Sequence, residues 1–228
     1  MLSVVAVEFD VEKHDIKAAI FDMDGLLIDS ERILMHACIQ AAQQIGISYT
    51  QAEYVELIGR TGADSRRIMI EQLGGAEQYE QVVKGLNAIL DERDHAFPLK
   101  HGALELIKHY RSNNIICSVA SSSPMHHITH RLGHVGVLNH FEHLTSGQEV
   151  ANGKPHPDIY LLAIKKLGLS VEQCIAFEDS EPGASAAIAA GLKVVVVPDL
   201  KQLSAFVVQN SYRVLDSLSD WLTVVDSH

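Results

Sequence analysis

Residues 20–30 of the chain read IFDMDGLLIDS. This stretch runs from apolar residues into two aspartates separated by one residue, Asp22 and Asp24, and returns through Gly25 to apolar residues. An apolar run without alternation is typical of a strand buried on both faces of a parallel sheet. Because successive side chains of an extended chain point in opposite directions, the two carboxylates should face the same side. The stretch therefore predicts a buried strand that presents two acids at its carboxyl end.

A similar phrase, VVAVEFD at residues 4–10, also runs apolar residues into an acid. It has neither the second aspartate nor the glycine, and it precedes the strand described above. We interpret it as an appended N-terminal strand or tail, and Asp10 is assigned no catalytic role.

Further apolar runs of strand length predict the rest of a sheet, and segments of helical period separate them. They lie at about residues 115–120, 173–178 and 193–197, with weaker runs near 141–145 and 212–215. This alternation predicts an α/β fold with a Rossmann-like parallel sheet. Ser123 and Pro124 are expected to be the N-cap and first-turn proline of one helix, and Gly191 the C′ residue of another.

One connection is abnormally long. About 90 residues separate Asp22 from the strand near 115, whereas a parallel crossover needs a dozen or somewhat more. Helical patterns fill the interval, at roughly 31–45, 50–57, 63–73 and 77–94. We therefore predict two domains: a Rossmann-like catalytic core of residues 1–31 and 98–228, and an inserted helical cap of residues 32–97.

Composition restricts the partners. The chain has 228 residues, of which 47% are hydrophobic, and its 18 basic and 29 acidic residues give a net charge of −11. This balance argues against nucleic acid as a partner. No apolar run reaches the length of a membrane span, and the first residues lack the basic region of a secretory signal. We expect a cytoplasmic protein without membrane contact, with Cys38, Cys117 and Cys174 as reduced core residues. A monomer is the expected state, and an oligomer stays open as an alternative.

Polar residues follow the predicted strands where ligands bind in open α/β sheets. They are Asp22 and Asp24 after the first strand, Ser121, Ser122 and Ser123 after the second, Glu178 and Asp179 after the run at 173–178, and Lys154, which opens the helix before that run. Several carboxylates that converge on one edge repel one another unless a hard divalent cation is present. The pattern predicts a Mg²⁺ site.

Phosphoryl transfer is the chemistry that this set suggests. Asp22 would attack phosphorus and form an aspartyl phosphate, and Asp24 would protonate the leaving oxygen and later activate water. Ser121, Ser122 and Lys154 would hold the phosphoryl oxygens. Asp179, with Glu178, would anchor the metal, and Gly25 would let the chain turn sharply beside the substrate.

Four stretches resemble, in order, the motifs of the haloacid dehalogenase superfamily: FDMDGLLIDSE, VASSS, GKPHPDIY and FEDSEPGASAA. The resemblance covers about residues 17–215 and is closest to the subgroup of sugar-phosphate phosphatases and β-phosphoglucomutases, which carry a helical cap between the first two motifs. It implies a small phosphorylated metabolite as substrate. It also implies that Mg²⁺ binds the backbone carbonyl of Asp24 and the side chains of Asp22 and Asp179, with Glu178 acting through water.

Two features favour a phosphatase over a mutase. The mutase-like members place an arginine where this chain has Gly62, and a lysine and an asparagine where it has Pro124 and Met125. Arg60, close to Gly62, remains a candidate for substrate contact. A β-phosphoglucomutase-like isomerase and a non-catalytic phosphometabolite-binding protein stay open as alternatives.

Three histidines share one face of a predicted helix, because His126, His130 and His134 are spaced four residues apart. Such spacing can bind zinc or nickel. No cysteine or carboxylate joins the row, and a solvated helix face explains it equally well. We favour the solvated face and leave the metal site open.

Overall fold

The computed structural model describes residues 16–58, 62–93 and 96–225. Within these ranges six parallel strands form one sheet in the order β3-β2-β1-β4-β5-β6. The strands are β1 Ala18–Phe21, β2 Ile116–Ser121, β3 His143–Ser146, β4 Cys174–Glu178, β5 Lys193–Val196 and β6 Arg213–Val214. The predicted α/β fold with a Rossmann-like parallel sheet is confirmed, and β1 lies at its centre.

Helices occupy most of the remaining described chain. They are α1 Ser30–Gln44, α2 Gln51–Val55, α3 Gly62–Leu73, α4 Ala76–Asp91, α5 Ala103–Ser112, α6 Met125–His134, α7 Asp158–Leu167, α8 Glu181–Ala189, α9 Ala205–Asn210 and α10 Leu218–Val225. The first four fall in the long interval where the sequence predicts only helices.

The apolar residues of β1 divide between two cores. Ala19 and Phe21 join a cluster with residues of α5, α6 and α10, whereas Ala18 and Ile20 join a cluster with residues of α7 and α8. Both sets are fully buried because helices cover both faces of the sheet. This explains why the strand is apolar throughout instead of alternating.

Helices α1–α4 enclose a third apolar cluster, which includes Cys38, Tyr49 and Val82. The two segments that connect these helices to the sheet run side by side and are hydrogen-bonded to each other. The Asp29 amide donates to the Pro98 carbonyl at 2.8 Å, and the Lys100 amide donates to the Leu27 carbonyl at 2.9 Å. The division into a catalytic core and a cap of residues 32–97 stays a prediction.

Two local predictions are wrong and one is confirmed. Pro124, not Ser123, occupies the cap position of α6, and no side chain caps that helix. The Ser123 hydroxyl instead turns toward Asp24 and donates to its Oδ2, a charge-assisted hydrogen bond. Lys154 does not open α7, because that helix begins at Asp158 after a turn. Gly191 follows the end of α8 with φ +84°, as predicted for a C′ residue.

Three expectations concern other regions. The N-terminal phrase at 4–10 and Arg60 lie outside the described residues. The three cysteines are buried and form no disulfide among the described residues. Over the same ranges, every helix is too short or too polar for a membrane crossing.

Candidate active site

A cavity of about 210 Å³ opens at the carboxyl ends of β1, β2 and β4. Parallel strands bring these ends to one edge of the sheet, where open α/β folds bind their ligands. Its lining residues are Asp22, Asp24, Glu31, Ile58, Ser121, Ser122, Lys154, Asp179, Ser180 and Pro182. Residues from five separate parts of the sequence therefore meet around one small polar space.

Lys154 is the cation of this cavity. Its Nζ donates to Asp22 Oδ1 at 2.5 Å, to Glu178 Oε1 at 2.6 Å and to the Ala120 carbonyl at 3.1 Å. Only 6% of its side chain is exposed. Burial by itself would lower the pKa of Lys154, but Asp22 and Glu178 raise it overall, so the ammonium stays charged. One buried cation thus orients two carboxylates.

Glu178 lies beneath the cavity and is fully buried. Its Oε1 accepts the Tyr160 hydroxyl at 2.5 Å in addition to Lys154, and its Oε2 accepts the Ser180 hydroxyl and the Asp179 amide, each at 3.2 Å. Both oxygens therefore already have protein donors. The contacts make Glu178 an anchor for Lys154 and for the start of α8.

Asp22, Glu178 and Asp179 form a buried acidic cluster whose possible ligand atoms lie within 4.8 Å of one another. Burial, and then Glu178, raise the pKa of Asp22 to about 8 against the opposing charge of Lys154. Burial and the other two acids likewise raise the pKa of Asp179 well above its ordinary value. Asp179 Oδ1 is buried without a hydrogen-bond partner among the described residues. This oxygen-rich set fits a hard divalent cation such as Mg²⁺.

Asp24 receives donors on both carboxylate oxygens. Arg131 Nη1 and the Ser30 hydroxyl donate to Oδ1, at 2.6 and 2.8 Å. The Ser123 hydroxyl donates to Oδ2 at 2.8 Å, and the Ser121 hydroxyl approaches the same atom at 3.5 Å. The second acid of the opening stretch is thus held by α1, by α6 and by the turn after β2.

Gly25 occupies the sharp turn after Asp24 with φ +88°. A Cβ atom built on it would collide with the carboxylate of Asp179. Both the left-handed backbone and the close approach require glycine here. The turn thereby lets the chain pass directly beside Asp179 of the acidic cluster.

A second cavity of about 330 Å³ adjoins the first and shares with it Glu31, Ile58, Asp179, Ser180 and Pro182. The loop at 199–204 completes its wall. Glu31 stands where the two cavities meet; burial, and then the nearby Asp24 and Asp199 charges, raise its pKa to about 7. The two cavities together exceed the space that a phosphate alone requires.

The histidine row is exposed to solvent on α6, as the favoured interpretation predicts. The rings of His130 and His134 are 6.4 Å apart between centroids. Among the described residues, the one group with metal-binding geometry is the acidic cluster, which contains no histidine.

The structure gathers nearly every residue that the sequence singles out. Asp22, Asp24, Ser121, Ser122, Lys154 and Asp179 line the cavity, while Gly25 and Glu178 lie directly beside it. Sequence reasoning missed Ser30, Tyr160, Glu31 and Arg131. Ser30, Glu31 and Tyr160 fall inside the motif stretches quoted above, so their position in those stretches was the available signal. Arg131 has no such signal, because the packing of α6 brings it to Asp24 across 107 residues.

The comparisons with known proteins agree with this geometry. A family model described as haloacid dehalogenase-like hydrolase matches residues 19–197. The chain belongs to the haloacid dehalogenase-like hydrolases. Within this family, it is 32% identical to the phosphorylated carbohydrates phosphatase of Thermotoga maritima, over 78% of this chain and 82% of that protein.

This haloacid dehalogenase-like hydrolase is also similar to a second phosphatase and to a protein whose crystal structure contains phosphate. Hexitol phosphatase B of Escherichia coli is 32% identical over 81% of this chain and 85% of its own. The crystal structure of CbbY from Rhodobacter sphaeroides in complex with phosphate matches with a TM-score of 0.72 and 27% identity, over 92% of this chain and 99% of that one. These relatives confirm the predicted enzyme class, a phosphoric monoester hydrolase.

Proposed function

We propose that this enzyme is a Mg²⁺-dependent phosphatase that hydrolyses a small phosphorylated metabolite, a sugar phosphate or related polyol phosphate, through a phosphorylated Asp22. The observation that carries the proposal is the contact of Asp22 with Lys154 in a cavity that Asp24 and Ser121 also line. A nucleophile, a cation, a hydroxyl donor and a second acid are the groups that such a reaction needs.

In the first half of the reaction, a carboxylate oxygen of Asp22 attacks phosphorus and the bond from phosphorus to the substrate oxygen breaks. Lys154 holds Oδ1 of Asp22, which leaves Oδ2 as the attacking atom. Asp24 gives a proton to the departing oxygen, because an alkoxide is a poor leaving group. Ser121, Ser122 and Lys154 receive the charge of the phosphoryl oxygens.

In the second half, water attacks the phosphorus of the phosphorylated Asp22 and passes its proton to Asp24. The bond between phosphorus and Asp22 breaks, and inorganic phosphate leaves. Asp24 thus returns to its protonated form and Asp22 to its carboxylate, so that both groups are restored. The helices of the proposed cap limit the access of other water to the phosphorylated residue.

The side chains of Asp22 and Asp179 and the backbone carbonyl of Asp24 are the proposed Mg²⁺ ligands, with Glu178 acting through water. When bound, the metal supplies positive charge that offsets the acids and the substrate phosphate. The raised pKa values of Asp22 and Asp179 support this assignment, because they reflect a buried acidic cluster whose charge is not fully compensated.

The second cavity is the proposed place for the part of the substrate beyond the phosphate. Its wall offers carboxylate and hydroxyl oxygens, including those of Glu31 and Ser180, to hydroxyl groups of a sugar or polyol. The relatives named as phosphatases of phosphorylated carbohydrates and hexitols support this choice of substrate class.

Phosphate release from a panel of sugar, polyol and nucleoside monophosphates, with and without Mg²⁺, tests the proposal. We expect Mg²⁺-dependent release that Asp22→Asn abolishes, while Asp216→Asn, which alters an exposed aspartate away from the cavity, retains it. Mass spectrometry should detect a phosphorylated Asp22 after a rapid quench. A wild-type enzyme that releases no phosphate from any compound would contradict it and favour a binding protein.

The mutase alternative predicts a different product. Conversion of glucose 1-phosphate to glucose 6-phosphate without net phosphate release would support an isomerase. We expect net phosphate release instead, because Pro124 and Met125 at the start of α6 lack the polar groups of the mutase-like pattern.

A further inference from the structure

Arg131 contacts an acid of the proposed active site, but the reaction proposed above assigns it no role. It lies on α6, and its Nη1 donates to Asp24 Oδ1 at 2.6 Å. Only 12% of its side chain is exposed. The geometry is that of a mostly buried, charge-assisted hydrogen bond, which is stronger and more directional than a neutral one.

Phe97 fixes the guanidinium from the other side. The Arg131 guanidinium carbon lies 4.9 Å from the centroid of the Phe97 ring, and Phe97 is 2% exposed. A planar guanidinium over an aromatic face gains cation–π attraction and loses freedom to rotate. Phe97 belongs to the returning connection that runs beside Asp29. The position of Arg131 is therefore set by packing before any substrate binds.

The two oxygens of Asp24 have donors of different kinds. Oδ1 is held by Arg131 and by the Ser30 hydroxyl, whereas the donors to Oδ2 among the described residues are the hydroxyls of Ser123 and Ser121. A guanidinium can only donate, but a hydroxyl can turn and accept. Oδ2 is therefore the oxygen that can exchange a proton without losing its anchor.

We propose that Arg131 is a positioning residue that fixes Asp24 through Oδ1, so that Oδ2 faces the oxygen to be protonated. This inference rests on the proposed function of Asp24 as general acid and base. Arg131 does not touch the reacting atoms; it acts through Asp24 alone. Without it the carboxylate can rotate, and proton transfer from Oδ2 loses its alignment.

The leaving group provides the test. An alkyl phosphate, such as the sugar phosphate that the wild type hydrolyses fastest, needs a proton on its leaving oxygen, whereas p-nitrophenolate departs readily as an anion. The quantity to compare is kcat/KM, which reports the steps up to departure of the leaving group. For Arg131→Met we expect a loss of about 100-fold with the alkyl phosphate, within the range of general acid catalysis, and at least tenfold less loss with p-nitrophenyl phosphate.

Three variants separate positioning from general damage. Arg131→Lys keeps the charge without the forked geometry and should recover part of the alkyl phosphate activity. Phe97→Leu removes the ring beneath the guanidinium and should show the same selective loss, but smaller. Arg67→Met is the control, because it makes the same substitution at an exposed arginine of α3 that does not line the cavity. It should leave the ratio of the kcat/KM values for the two substrates unchanged.

A double-variant comparison tests the route of action. In an Asp24→Asn background, Arg131→Met should cause little further loss of alkyl phosphate hydrolysis, because the group it positions is already gone. Equal losses for both substrates, or additive losses in the double variant, would overturn the inference. Failure of the proposed function itself would look different, because the wild type would then release no phosphate, or Asp22→Asn would retain the activity.

Discussion

Replacing Glu31 with glutamine should make the stability difference from the wild type depend on pH in a defined window. Glu31 is mostly buried, and burial together with the Asp24 and Asp199 charges raises its pKa from 4.5 to about 7. Between these values the folded state holds a proton that the unfolded state has lost. The free energy of unfolding of the wild type therefore falls as the pH rises from 4.5 to 7.

The size of the effect follows from the same two values. One pH unit across this window corresponds to about 1.4 kcal/mol, so the shift from 4.5 to about 7 sets an upper value of about 3.5 kcal/mol above pH 7. Solvent near the partly exposed side chain reduces this to about 2 kcal/mol. Glutamine does not titrate, so Glu31→Gln should gain about that much relative to the wild type between pH 5 and pH 8.

Urea unfolding at pH 5, 6, 7 and 8, with a chelator present throughout, measures the difference. The chelator keeps the acidic cluster in the same metal-free state in both proteins. Glu142→Gln, on an exposed side chain, reports the general effect of removing one negative charge. A difference between Glu31→Gln and the wild type that stays constant over this range, or that changes in the opposite direction, would refute the reasoning.

Three further perturbations test the acidic cluster and its cation. Lys154→Met leaves Asp22 and Glu178 buried without their shared cation, so we expect a loss of about 3–5 kcal/mol in the free energy of unfolding and loss of phosphate release. Gly183→Ala places a Cβ against the buried carboxylate of Glu178 and should lower the free energy of unfolding by about 1–3 kcal/mol. Removal of divalent metal should abolish phosphate release and lower the Tm, and added Mg²⁺ should restore both, because the proposed metal site at Asp22, Glu178 and Asp179 exists only in the folded chain.

Matched changes make these outcomes specific. Lys108→Met removes an exposed lysine of α5, and Gly153→Ala adds a methyl group where no atom lies within 4 Å. Neither should change the unfolding midpoint in urea appreciably. A Lys154→Met protein as stable as the wild type would contradict the assignment of Lys154 as the buried counter-ion, and a Tm indifferent to Mg²⁺ would contradict the metal site.

The strands could be predicted from sequence because burial on both faces requires a continuous run of apolar residues, which is visible in the sequence itself. Residues 18–21 are apolar at every position since helices cover both sides of β1. The acids at its end were likewise predictable, because parallel strands carry their ligand-binding groups at their carboxyl ends. The excess length before β2 indicated the inserted helices without any knowledge of their packing.

Other features depend on contacts that no local pattern encodes. Ser123 looked like a helix cap by residue type, yet its hydroxyl donates to Asp24, a carboxylate that only the folded chain brings near. Tyr160 stood inside a recognised motif, but its bond to Glu178 depends on how α7 packs against the sheet. The role of Arg60 and of residues 4–10 stays a prediction.

The sequence by itself determined the fold class, the inserted helices and the acids, serines and lysine of the cavity, because each follows from burial periodicity or from position at a strand end. Only the tertiary structure decided which atoms these groups hold. Arg131 reaches Asp24 from 107 residues away, and Phe97 supports it from the returning connection. Such contacts arise when whole helices pack against the sheet. The periodicity of the side chains shows which face of a helix is buried, but not which residues that face will contact.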